Sequence, residues 1–450
     1  MINTYFLSRI INLKFSNFKK LRFTYYILFS ILYFIFMSKN SYLGVDWINY
    51  HKEWVLNATN NIINGFEGLK YGLTSRDNIK LLGDMKSEQV YVVQAYQYIH
   101  LTLFSILSNG KLTIFLGQLV DKIIICLTAI LTGEIAHILF SSKKQLVKNI
   151  IAICSFSFFL SSPWVYRMIL DPWQEVYFLF FLLGALFAIY KKYYKIGTIL
   201  YICASFSQYQ WSIILSFIYL LSFLTTLVFP ERKNLIKILP EGFRNRKYGA
   251  LFIIVGIAPT IYIFLQKIII NLASTEVIFG GSSLLYRVGI NSYSNHHHGG
   301  WLASFQFLGG NRLSNCLSNN AFNEILTNLD SKIYFANCIF SILGMIIISL
   351  ISIIGYVKLI QNEIKYNWLL IPIFLSFFIL AMFLQQSIAV HLQGYSFIFA
   401  FIFAIGLINM INNLIENLFK NTFNELFYIP FLLGIVISNI RVSFLTGING

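Results

Sequence analysis

Apolar runs long enough to cross a lipid bilayer recur along the whole chain, and this constrains the fold more than any other feature. "LTIFLGQLVDKIIICLTAIL" is one of them, and the shorter "FTYYILFSILYFIFM" has the same character. Inside a membrane no water meets the backbone N–H and C=O groups, so each such run must form a helix that satisfies its own hydrogen bonds. Runs of about 18 or more apolar residues are the mark of these helices. The composition agrees: 57% of the 450 residues are hydrophobic and only 12% are charged. The fold class expected is all-α: one polytopic integral membrane domain, 1–450, with about eleven transmembrane helices. They are placed near 23–38, 112–140, 147–164, 174–190, 195–208, 211–229, 248–270, 334–357, 367–385, 394–411 and 427–445. The first is read as a retained helix, because no small-residue cleavage site follows it.

The net charge of +16 does not imply a nucleic-acid partner. With a cytoplasmic N-terminus, the inner segments are 1–22, 141–149, 191–195, 230–249, 358–366 and 412–426. They hold 20 of the 34 Lys and Arg but 5 of the 18 Asp and Glu. That is the positive-inside bias, and it directs the basic excess toward anionic membrane lipid. The expected location is the inner membrane of a bacterium.

Two long segments fall on the extracytoplasmic side. The first, 39–111, carries seven basic and six acidic residues. Within it "SEQVYVVQAYQYIHLTLFSILSNG" reads as an interfacial helix. The second, 271–333, is rich in Gly, Ser and Asn, and includes "NHHHGGW". A connection of this length is usually functional or disordered, and its aromatics suggest an ordered lid or binding loop. Adjacent loop histidines cannot all aim at one ion. His296, His297 and His298 would need further ligands to hold a metal and are read as a polar loop or a substrate contact. No cofactor and no metal site are expected.

Ionisable residues gather on this outer side. Asp46 and Glu53 follow the first span, beside Trp47, Tyr50 and Trp54. Arg167, Asp171 and Glu175 follow the third. Lys267 stands near an outer helix end, Arg287 and Arg312 in the second long segment, and His391 where a late span begins. This set suits transfer of a sugar from a polyprenyl-phosphate carrier. A carboxylate takes the proton of the acceptor hydroxyl, and Arg and Lys at headgroup level hold the leaving phosphate. Structural roles are equally open. Asp46 and Asp171 are both placed to cap helices, Asp171 directly before Pro172. Arg167 and Asp171 are spaced to pair with each other, and Glu175 would share a face with Asp171. Asp121, Lys122, Glu134 and His137 lie within a span, where they would couple an ion or hold helices together.

The order "GVDWINY", "QAYQYIHLTLFSILSNG", "LTIFLGQLVDKIIICLTAIL", "SPWVYRMILDPWQEVYFLFFLLGALFAIYKK" and "IGTILYICASFSQYQWSIILSFIYLL" resembles the N-terminal half of GT-C superfamily glycosyltransferases, including the protein-mannosyltransferase and aminoarabinose-transferase branches. The resemblance covers residues of about 20–230. It implies a GT-C-like fold, with Asp46 as the catalytic or acceptor-positioning acidic residue, Asp171 as the second acidic residue and Arg167 as a phosphate contact. Gly44, Asp46 and Tyr50 are also similar to the start of O-antigen and exopolysaccharide polymerases.

The expectation is therefore a membrane glycosyltransferase acting on the extracytoplasmic face, by an inverting route without metal. Asp46, Asp171 and Glu175 are the catalytic set. Tyr50, Arg167, Lys267, Arg287, Arg312 and His391 are the substrate contacts. The partners are a polyprenyl-phosphate-linked sugar, membrane lipid, and a glycan, lipid or protein acceptor. An O-antigen-type polymerase and a transporter or flippase of a lipid-linked sugar are the alternatives. A transporter would place charges at the membrane midplane in both halves, whereas here only Asp121 and Lys122 look central.

Overall fold

The computed structural model describes residues 16–40, 63–65, 107, 114–162, 164–165, 174–228, 246–273, 329–383, 385–418, 433–434 and 436–437. Among these residues the structure is helical, with no strand. The helices are α1 Ser16–Asn40, α2 Ile114–Leu139, α3 Gln145–Ser161, α4 Gln174–Tyr190 and α5 Tyr194–Ser207. They continue with α6 Tyr209–Val228, α7 Arg246–Ala273, α8 Leu329–Asn362, α9 Asn367–Phe383 and α10 Gln385–Leu418. A 3-10 turn, Ile364–Tyr366, joins α8 to α9. Each of the first ten expected spans has a helix at its place. The eleventh, 427–445, lies almost wholly outside the described residues.

Length and apolarity qualify fewer of them as membrane spans. Leu119–Leu139 and Phe397–Leu418 are each long and apolar enough to cross. Ile346–Asn362 and Ile364–Leu380 pass together, bent by 100°, and make a third if counted as one span. A helix of 17 residues such as α3 or α4 rises about 25 Å, short of a hydrocarbon core of about 30 Å.

Hydrogen bonds tie one set of helix ends together. Lys143, past the end of α2, makes an ion pair with Glu416 near the end of α10, Nζ to Oε1 2.6 Å. The Tyr366 hydroxyl lies 2.9 Å from Ser141 Oγ, and Lys365 Nζ donates to the same oxygen at 2.8 Å. The Tyr190 ring, ending α4, packs on Tyr366 with centroids 6.3 Å apart. Deeper at this end, Arg22 of α1 donates through Nη2 to Glu134 Oε2 of α2 (3.0 Å) and through Nη1 to Asn149 Oδ1 of α3 (2.6 Å). His137 Nε2 and Gln145 Nε2 sit 3.1 Å apart beside them. So segments around 22, 141–149, 190, 363–366 and 416 converge. These are ends that the charge pattern assigns to a single side.

Antiparallel pairing carries the helices away from that end in unbroken register. Arg22 meets Glu134, Ser30 meets Cys126, and Phe34 meets Lys122 along α1 and α2. Tyr25, Tyr26 and Phe29 of α1 surround Phe156 of α3, with centroids 4.6 to 6.2 Å apart. Tyr201 of α5 stacks on Phe252 of α7 at 3.8 Å, and Phe206 approaches Tyr262 further along, so α7 climbs toward the opposite end.

The helices α8 and α10 come into backbone contact. A Cβ added to Gly355 would strike the carbonyl oxygen of Gly406, and one added to Gly406 would strike that of Ser352. Asn409 Nδ2 donates to the Gly355 carbonyl at 2.9 Å across the contact. Small residues let backbones approach where lipid offers no hydrophobic drive between helices, and a side-chain amide adds a bond across them. Gly406→Val should therefore push the helices apart and destabilise the fold by about 1–3 kcal/mol. Thermal unfolding in lipid nanodiscs checks this, and a surface glycine change such as Gly344→Val, where a Cβ meets nothing within 4 Å, should leave the midpoint unchanged.

Candidate functional site

The ends opposite the Lys143–Glu416 corner hold Glu175, the member of the expected catalytic set that is described. Glu175 stands in the first turn of α4, fully buried. Its Oε1 accepts a hydrogen bond from Gln208 Nε2 at 2.8 Å. Gln208 is the single residue between α5 and α6. Its backbone N–H donates to the Ala204 carbonyl at 3.0 Å, closing α5. Its carbonyl accepts from the Ser212 N–H and hydroxyl at 3.2 and 3.1 Å, opening α6. With its backbone spent on both helices, its side chain is committed to Glu175. A buried carboxylate needs such donors, because burying it bare would be costly. The Trp211 ring closes the apolar side, between Phe178 at 5.8 Å and Phe377 at 5.9 Å.

A second polar pair lies near the same end of α4. Tyr177, two residues beyond Glu175 and so on the opposite face of α4, donates its hydroxyl to Asp121 Oδ1 of α2, both buried. Lys122 follows Asp121 and points the other way, its Nζ 5.2 Å from the centroid of the Phe34 ring of α1. Such an ammonium over a ring face is held by the ring quadrupole. Asp121 and Lys122 thus face the bundle, as expected. Glu134, lower on the same helix, is occupied with Arg22, which favours the helix-holding role over ion coupling.

Of the expected catalytic set, Glu175 is the member described; Asp46 and Asp171 lie outside the described residues. So do Tyr50, Arg167, Arg287, Arg312 and His296, His297 and His298. Lys267 and His391 lie on described helices, although their side chains lie outside the description. Lys267 is on α7, five residues beyond Tyr262. His391 is on α10, six residues before Phe397, whose ring meets Phe159 near the end of α3. Both backbone positions therefore belong to the same end as Glu175. Gln208 and Tyr177 escaped the sequence reading. The signal for Gln208 was there: "SFSQYQWS" interrupts two apolar runs, and with α4 and α5 antiparallel a glutamine at the end of α5 stands level with the acid in the first turn of α4.

Two carboxylates are buried here, Glu175 bonded to Gln208 of the α5–α6 joint and Asp121 bonded to Tyr177 of α4, and the buried Lys122 follows Asp121 in sequence. No protein-family model and no curated protein matches the chain.

Glu175→Gln should preserve the link to Gln208 and the stability of the fold. Glu175→Leu should cost about 1–3 kcal/mol, because the Gln208 amide loses an acceptor in a buried place. Thermal unfolding of both variants in nanodiscs, with Gln208→Leu in a double-mutant cycle, checks the coupling.

Proposed function

We propose that the chain is an integral membrane glycosyltransferase, GT-C-like in fold, that moves a sugar from a polyprenyl-phosphate carrier to an acceptor on the extracytoplasmic face of a bacterial inner membrane. In this proposal the ten helices and 427–445 make eleven crossings, with the N-terminus cytoplasmic. One observation carries the proposal: the ends around Arg22, Lys143, Tyr190, Lys365 and Glu416 are bonded to one another. Helices that share one end share the other. That supports gathering Glu175, Lys267, His391 and the segments with Arg167 and Asp171 at a common face.

The chemistry follows from the residue types. Asp46 takes the proton from the acceptor hydroxyl as its oxygen attacks the anomeric carbon. The bond from that carbon to the carrier phosphate oxygen breaks, and the phosphate leaves with its electrons. Arg167, Lys267, Arg287 and Arg312 hold the charge that develops there. Asp171 and Glu175 shape the site, while Tyr50 and His391 contact the sugar or the carrier. An O-antigen-type polymerase uses the same donor chemistry with a growing glycan as acceptor.

A transporter of a lipid-linked sugar is the second reading, favoured by Asp121, Tyr177 and Lys122, which are polar groups buried within the bundle. One experiment separates these readings. Purified protein in liposomes is given a pool of polyprenyl-phosphate sugars, and release of polyprenyl phosphate is followed for wild type and Asp46→Asn. The expected result is turnover by wild type and a loss of about 100-fold or more in the variant, the scale of a general base. Turnover by both removes Asp46 as the base. Carrier moved across the bilayer without release, by either protein, favours the transporter.

A further inference from the structure

The turn from α4 to α5 reads "YKKYYK" over 190–195, and Lys191, Lys192, Tyr193 and Lys195 all stand exposed. Lys192 holds a left-handed backbone, φ 65°, at a helix end where glycine is usual. The hydrogen bonds are those of a glycine stop: the Lys192 N–H donates to the Ile189 carbonyl and the Tyr193 N–H to the Ala188 carbonyl, both at 2.8 Å. A lysine there carries backbone strain that glycine would not. The turn thus keeps a cation where its geometry favours a residue without a side chain.

The fold brings further cations to this turn. Tyr190 packs on Tyr366, and each ring has an ammonium over it. Lys191 Nζ lies 5.4 Å from the Tyr190 centroid, and Lys365 Nζ 4.8 Å from that of Tyr366. Both ammonium groups act electrostatically on Tyr190, and Lys148 of α3 joins Lys191 in acting on His137. Cations from three elements far apart in sequence therefore share one place. Glu363 answers one of them, 3.8 Å from Lys365 Nζ. Gathered like charges repel one another and create a positive potential that draws an anion.

The setting selects the anion. Tyr190 and Tyr193 are exposed aromatics, the kind that sits at headgroup level in a membrane. Ile196 and Ile199 continue from the turn along α5 as exposed apolar side chains. Cations, then tyrosines, then an apolar flank match the order of a lipid from phosphate to acyl chain. A soluble anion would use the cations alone.

We infer that the α4–α5 turn, with Lys191, Lys192, Lys195 and Lys365, is a discrete site for the phosphate headgroup of an anionic membrane lipid. It is a fixed place, distinct from the diffuse attraction of a basic face for a leaflet, and it stands whether or not the chain transfers sugars. Lys191 and Lys365, held over the two packed rings, take the phosphate oxygens. The bound headgroup bridges the α4–α5 turn to the 3-10 turn before α9.

The test uses the full chain in phosphatidylcholine nanodiscs doped with phosphatidylglycerol. Native mass spectrometry counts the phosphatidylglycerol that stays with the protein. Wild type should enrich it over phosphatidylcholine. Lys191→Gln combined with Lys365→Gln should lower retention by about tenfold or more, the scale of two lysines at a membrane surface, and arginine at both positions should restore it. Lys191→Gln alone should lose about fivefold. Lys20→Gln, which removes an exposed cation of α1 at the same end, should lose less than about twofold. Lys192→Gly should melt higher, its strain released, and yet hold less lipid. Equal retention by wild type and the double variant overturns the inference, and so do equal losses from Lys191→Gln and Lys20→Gln, which would leave only diffuse attraction. A higher melting point with full retention in Lys192→Gly overturns the part given to the strained lysine. Displacement of the lipid by inorganic phosphate or by polyglutamate overturns the assignment to a lipid. If the double variant fails to fold, the comparison of Lys191→Gln with Lys20→Gln decides alone.

Discussion

Arg22 is the fixed point of the bundle. Its guanidinium is buried among three helices, and its fork reaches a carboxylate on α2 and an amide on α3 at once. A planar donor of this kind binds in one orientation, so it sets the rotation and the height of α1 as well as holding it. From that point the register of α1 against α2 runs on through Ser30 and Cys126 to Phe34 and Lys122. The rings of Tyr25, Tyr26 and Phe29 then fill the space against Phe156. Shifting α1 by one residue would turn the cation away from both partners and strand a charge, at a cost of several kcal/mol.

The rest of the molecule is fastened by weaker devices suited to an apolar setting. Between α8 and α10 the fit is made by missing side chains, with Gly355 and Gly406 in backbone contact and Asn409 bridging them. Between α4, α5 and α6 it is made by Gln208, which ends one helix, begins the next and reaches the third. At the Lys143 corner it is made by ion pairs and hydroxyls among segments far apart in sequence. Each joint satisfies backbone or side-chain polarity locally, as packing outside water requires.

Much of the helical order was legible before any coordinates, because an apolar run in a chain this poor in charge has few choices. The placements of α2 through α6 follow the apolar runs within a few residues. Charge also told which ends belong together, and the bonds of Lys143, Glu416 and Lys365 follow that grouping. What the sequence could not tell was partnership. Glu134 and Lys122 look alike as ionisable residues within one run, yet one bonds to Arg22 of α1 and the other lies over the Phe34 ring of α1. That distinction depends on which residues of α1 come opposite, a matter of helix rotation that hydropathy does not encode. Glu175 was expected at the site for its charge, whereas its burial and its bond to Gln208 depend on a one-residue joint that no periodicity announces. Asp46, Asp171 and the residues of 274–328 lie outside the described residues, so their grouping rests on sequence.

The shortness of α5 has a consequence for the lipid around it. Its 14 residues rise about 21 Å, some 9 Å less than an average hydrocarbon core. Lysines crowd one end, at 191, 192 and 195, and Gln208 closes the other, while Ile196 and Ile199 stand open on its flank. Neither end can slide into the oil without dragging polar groups with it. In the proposed membrane setting the bilayer must yield instead, thinning where it meets this helix. Thinning lowers the headgroup plane toward Glu175 and Gln208. An amphiphile approaching from that side would thus have its polar end carried inward by the membrane itself, with less of its tail to pull out of the oil.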